Sequence, residues 1–282
     1  MSLFDGLEIF GLSGIKGENL FEDPVEKRKK EKTVQEVKQI HEEDLLFEKN
    51  FECPVCDKKF KQWVVRGNKA RLVGSDKDLR PHHEHIDSTK YDVVFCNRCG
   101  YAALMRYYGP LAKPHRDLLK ENIYSKFKPM AEPGMKLSYE DALIRYKMAL
   151  YNAMCRQAKS SEKAYICLKT GWIYRGMQEQ LGEDVPTDAP ERKELLEKEE
   201  ESLKNALEGL LIARETETPP IAGMNLTTLD YLLAVLCVRF GRLEDAMKLL
   251  QELIRSTSAS NAQKEKARDL VLEIRQKMKE KE

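Results

Sequence analysis

The chain lacks the signatures of the common catalytic folds. It has no phosphate loop of the form GxxxxGK[ST], no dinucleotide fingerprint GxGxxG, no GxSxG elbow and no HExxH zinc helix. A βαβ pattern is also missing, so a redox CxxC has no expected setting. Long apolar runs are scarce: stretches such as Tyr231 to Val238 are far shorter than the roughly 20 residues a spanning helix needs. The N-terminus has no basic region leading into an apolar core, which argues against a signal peptide. We therefore expect no membrane association, a cytoplasmic protein and no enzymatic activity. A reducing compartment makes metal a better use of paired cysteines than disulfides.

What the chain does have is two short cysteine pairs, Cys53-Pro-Val-Cys56 and Cys96-Asn-Arg-Cys99, separated by 39 residues. A CxxC turn aims two thiolates at one point, and two such turns supply four soft ligands to a tetrahedral site. The expected ligands are Cys53, Cys56, Cys96 and Cys99, and the expected cofactor is Zn2+. Four cysteines close the shell against water, which makes the zinc structural. Phe51, Phe60, Val64 and Val65 flank the first pair, and Tyr91, Val93, Val94 and Phe95 precede the second; both sets read as short strands. Strand, CxxC turn, strand, twice over, is a zinc ribbon. His82, His83 and His85, grouped around Glu84, read either as a surface loop or as further ligands. Cys155, Cys167 and Cys237 read as buried packing residues.

Net charge is +1 for the whole chain but unevenly spread: −5 over residues 1–52, +8 over 53–128 and −2 over 129–282. Two bound metal charges against four thiolates would still leave the middle segment basic, which raises nucleic acid or an acidic partner as candidates.

Along the chain, residues 1–47 read as a tail followed by an amphipathic helix capped at Thr33-Val-Gln-Glu36. Residues 48–112 read as the ribbon, including a strand and turn over Arg66–Gly74. Residues 113–134 read as a linker with a short helix near Arg116–Phe127, ending at Pro133-Gly134. From 135 to 282 the chain is helical. Ser138 with Asp141 suits an N-cap. Ala142, Tyr146 and Ala149 then share a face, as do Ala206, Leu210 and Ala213, and again Ala246, Leu250 and Leu253. Gly171 with Tyr174, and Leu233, Ala234 and Cys237, carry the complementary surfaces. This grammar resembles tetratricopeptide repeats, stacked helix–turn–helix units that commonly present a groove to a protein or peptide partner; a plain helical bundle is the alternative. A last helix, Ala262–Lys279, places Ala267, Leu270, Ile274 and Met278 on one face.

The fold class is therefore α+β, mostly α: a small β zinc ribbon followed by an irregular tetratricopeptide-like array. Two functions suit it. One is a non-enzymatic protein-interaction module. The other is nucleic-acid binding by the basic ribbon, with Phe60, Trp63, Tyr107 and Tyr108 among its cations.

Phe51-Glu-Cys-Pro-Val-Cys-Asp-Lys-Lys-Phe60, Lys69-Ala-Arg-Leu-Val73 and Lys90-Tyr-Asp-Val-Val-Phe-Cys-Asn-Arg-Cys-Gly-Tyr-Ala-Ala-Leu104 resemble the bacterial family called Domain of Unknown Function 2225. The resemblance implies a cytoplasmic bacterial protein with a zinc ribbon followed by tetratricopeptide-like helices, and the four cysteines as metal ligands. It brings no activity with it. The charged extension before residue 45 lies outside the shared region.

Overall fold

The computed structural model describes residues 40–131, 134–182 and 184–279. The chain divides into two units, Met1–His41 and Glu42–Glu282. The first lies almost wholly outside the described residues, and with it the helix expected after Thr33. The second is α+β and mostly α.

Three antiparallel strand pairs come first. β1 (Leu46–Glu52) pairs with β2 (Lys59–Val65), placing Phe51 opposite Phe60. β3 (Leu72–Ser75) pairs with β4 (Pro81–His83), and β5 (Val93–Phe95) pairs with β6 (Ala102–Leu104). The strand expected over Arg66–Gly74 is shorter and later, because Arg66–Ala70 closes on itself in a hydrogen-bonded turn. Tyr91 ends a 3-10 turn, Ser88–Tyr91, rather than opening β5, and its hydroxyl donates to Glu42 at 2.8 Å.

Among the described residues there are seven α-helices. α1 (Lys113–Leu119) begins earlier than Arg116, since Pro114 suits a first helical turn where no N–H is needed. It runs on into a π-turn, Lys120–Tyr124. α2 (Tyr139–Cys155) starts at a full capping box: Asp141 N–H donates to Ser138 Oγ at 3.0 Å and Ser138 N–H to Asp141 Oδ2 at 3.2 Å. α3 (Ser160–Gln180), α4 (Pro190–Thr216), α5 (Leu226–Arg239), α6 (Leu243–Arg255) and α7 (Asn261–Lys279) follow.

The expected faces are buried. Ala206, Leu210, Ala213, Ala246, Leu250 and Leu253 all lie in one core, joined by Leu233, Ala234 and Cys237. α3 and α4 pack closely because Gly171 has no side chain: a Cβ there would sit 2.7 Å from Leu203 Cδ2. Met278 departs from its expected face and is exposed, since the charged end of α7 runs past the core.

Ala142, Tyr146 and Ala149 face something other than a helical repeat. They form a second core with Val93 and Phe95 of β5, Ala102 and Leu104 of β6, and Ile166 and Ile173 of α3. The alanines of α2 let a helix lie on a sheet as readily as on another helix. α2 is thus the layer between ribbon and helices.

Candidate metal centre

Each cysteine pair occupies the turn of a hairpin. In the β1–β2 turn, Cys53 N–H donates to Lys58 O at 3.0 Å and Asp57 N–H to Cys53 O at 2.9 Å. In the β5–β6 turn, Cys96 N–H donates to Tyr101 O at 2.8 Å and Gly100 N–H to Cys96 O at 3.0 Å. The residue after the second cysteine must take a positive φ in both turns. Asp57 does so at 56° and Gly100 at 75°. Gly100 is needed twice over, because a Cβ there would meet the Phe127 ring at 2.6 Å.

The turns point their sulfurs at one spot. The four Sγ atoms lie within 4.8 Å of one another, with Cys53 and Cys99 3.5 Å apart and Cys56 and Cys96 3.8 Å apart. Metal–sulfur bonds of about 2.3 Å would span a tetrahedron with edges of about 3.8 Å. The thiols are also too far apart for disulfides, whose S–S length is about 2.05 Å. The geometry therefore fits a four-sulfur metal site.

The donor chemistry fits as well. Contact with the Cys53 and Cys99 sulfurs holds Cys96 far below the usual thiol range, and the backbone N–H groups of Arg98 and Cys99 add to this. Contact with Cys96 pushes Cys53 up, and contact with Cys53 pushes Cys99 up: negative charges this close cannot form unaided. A divalent cation among them is what makes four thiolates compatible.

The centre is braced from three sides. Val55, Tyr101, Ala103, Leu119 and Ile123 surround it. Asn152 of α2, itself buried, donates to Gly100 O at 2.9 Å. Asn97 clasps Met130 through two hydrogen bonds of 2.7 and 2.9 Å.

Residues 46–278 match the family model described as an uncharacterized protein conserved in bacteria (DUF2225). The chain belongs to that family. The DUF2225 match opens at the first residue of β1 and closes within α7, so it takes in both cysteine turns, and the charged extension lies outside it. The chain matches no curated protein and no solved structure. No helix of the described residues is long and apolar enough to cross a membrane.

Among the described residues of this DUF2225 chain, the cysteines are the one cluster of metal-ligand type. His82 bonds Asp76 of its own hairpin at 2.5 Å and His83 bonds Ser88 of the following 3-10 turn at 3.0 Å, so both rings are engaged locally. Cys237 is buried as expected. Cys155 and Cys167 are only half-buried, because each sits at the margin of its cluster.

A second constellation was not foreseen. The tip of the β3–β4 hairpin carries Asp78, 5% exposed, which accepts from Arg175 and Trp172 of α3. Arg175 also reaches Asp76 and Glu199, and Arg239 of α5 reaches Glu199. Arg80 is buried too and clasps Glu179 at 2.7 and 2.9 Å and Asp87 at 3.1 Å. Alternating charges over Asp76–Arg80 were visible, but nothing in them names partners about a hundred residues away.

Proposed function

We propose that the protein is a non-catalytic interaction module. A structural zinc ion held by Cys53, Cys56, Cys96 and Cys99 fixes the ribbon, and the tetratricopeptide-like helices present a trough to a protein partner in the bacterial cytoplasm. The observation that carries this reading is the set of four converging sulfurs with tetrahedral edge lengths. A shell of four protein ligands leaves no position for water or substrate, which suits a structural role. The antiparallel pairs α3–α4 and α5–α6, capped by α7, support the array.

Elemental analysis of anaerobically purified full chain should find one zinc per protein, lost together with folded structure on chelation. Cross-linking of the full chain in a bacterial lysate, read by mass spectrometry, should recover a protein partner. Less than half an equivalent of metal in folded protein, or no cross-linked protein, would defeat the reading.

Binding of single-stranded nucleic acid by the basic ribbon is a second reading, favoured by one cleft. It has a volume of about 370 Å³, and Phe60, Lys61, Trp63, Phe95, Arg98 and Arg145 are among its lining. Aromatic faces beside cations suit stacked bases. The other candidates are engaged elsewhere: Tyr108 packs on Phe51 and Tyr101, Tyr107 lies under the Arg106 guanidinium, and Arg106 itself donates to Ala222 O. Filter binding with single-stranded RNA and DNA across a salt series tests this reading; no retention at low salt removes it.

A further inference from the structure

Residues of α3, α5 and α7 converge on the hairpin tip Asp76–Leu79. Arg175 of α3 takes both aspartates, Lys77 pairs with Glu273 of α7 at 2.7 Å, and Leu79 packs on the helical core beside these contacts. The tip therefore lies in the trough of the helical array much as a bound peptide would.

Three features mark it as an occupant. First, the residues of β3 behind the tip are exposed, with Leu72 and Val73 at 60% and 61%. Second, Leu79 is held at φ 70° in a turn closed by the Leu79 N–H to Asp76 O and the Asp76 N–H to Arg80 O, so the tip presents Asp76, Asp78 and Leu79 as one preformed unit. Third, the tip is flanked by two cavities of which its own residues form one wall. One cavity of about 240 Å³ is bounded by Tyr231, Lys266 and Asp269, and another of about 300 Å³ by Val235, Arg239 and Lys277.

We propose that the α3–α5–α7 trough recognises acidic protein segments of the form Asp-x-Asp-Leu, and that the β3–β4 tip is its resident occupant, displaced when such a segment binds. This rests on the interaction-module reading and names its partner chemistry. Arg175, which holds both Asp76 and Asp78, supplies the charge complementarity together with the Trp172 indole N–H on Asp78, and the core beside Leu79 supplies the apolar pocket. An occupant tethered in the same chain has a high effective concentration, so it weakens a free peptide's apparent affinity by the fraction of time it holds the site.

The test uses the full chain and a fluorescein-labelled peptide with the sequence of residues 73–83, read by anisotropy. The Asp76→Asn, Asp78→Asn double variant keeps the tip's shape but loses its charges. It should bind the peptide at least tenfold more tightly than wild type, and adding Arg175→Met should abolish the gain. Equal binding by wild type and double variant, or none by a double variant with wild-type helical circular dichroism, overturns the proposal. Should the double variant not fold, hydrogen exchange on wild type decides. Millimolar peptide should speed exchange of the Asp76 and Leu79 amides, which bond Arg80 O and Asp76 O at 2.9 and 3.0 Å. Unchanged protection overturns it. If both experiments fail while cross-linking still recovers a partner, the interaction reading stands and this proposal falls.

Discussion

Arg175 holds Asp78 through two hydrogen bonds of 2.6 and 3.1 Å, across 97 residues of sequence. The Trp172 indole N–H adds a third at 3.1 Å. The hairpin tip and α3 are thus joined by a largely buried ion pair, and each charge depends on the other.

Removing one partner of such a pair leaves the other charge buried alone. Asp78→Ala is expected to lower unfolding free energy by about 3 kcal/mol or more in urea denaturation. Lys77→Ala, one residue away but 68% exposed at its side chain, should change it by less than about 1 kcal/mol. Comparable losses at the two positions would mean that the tip is not anchored through Asp78.

The four sulfurs make a sharp contrast among the cysteines. Cys56→Ser or Cys96→Ser should abolish stoichiometric metal binding and unfold the two cysteine turns, because a structural site of this kind contributes on the order of 10 kcal/mol of binding to folding. Cys237→Ser, in the helical core, should keep the metal and lose only packing. Zinc content by elemental analysis, with circular dichroism on the same samples, checks both.

The matched positions after each cysteine pair should respond in opposite directions. Gly100→Ala meets both the positive φ and the Phe127 ring, and should cost about 1–3 kcal/mol. Asp57→Gly places glycine at φ 56° on an exposed turn, and is expected to stabilise by up to about 1 kcal/mol. Thermal melts of the metal-loaded proteins would show Tm falling for one and rising for the other.

Acid should loosen the hairpin through Asp76. Burial works to raise its pKa, but hydrogen bonds from His82 and Arg175 outweigh that and hold it below the usual carboxylate range. A carboxylate depressed in the folded state stabilises above its unfolded pKa of about 3.9, and that contribution disappears as pH falls through the lower folded value. The stability gap between wild type and Asp76→Asn should therefore be constant near neutrality and shrink below about pH 4. A gap that widened on acidification would contradict the assignment.

What was legible in the sequence is local. Two cysteines with two residues between them define a turn, and Gly100 after the second pair names the residue that needs a positive φ. Ser138 and Asp141 are three apart, so their cap can be read directly, and the apolar stripes of α4 and α6 follow from 3.6 residues per turn. Asp57 gave no such signal, because aspartate enters the left-handed region without the permissiveness that makes a glycine conspicuous.

By itself the sequence determined the two cysteine turns, most of the helices and which faces they bury, since each depends on residues within one or two turns of the same element. Only the tertiary structure decided what those faces meet. It laid the alanines of α2 on β5 and β6, placed Asp78 against Arg175, and set the β3–β4 tip against α3, α5 and α7. Periodicity marks a surface as apolar or charged but not its partner; that choice is made by the packing of segments some 50 to 200 residues apart, where shape and charge must match at once.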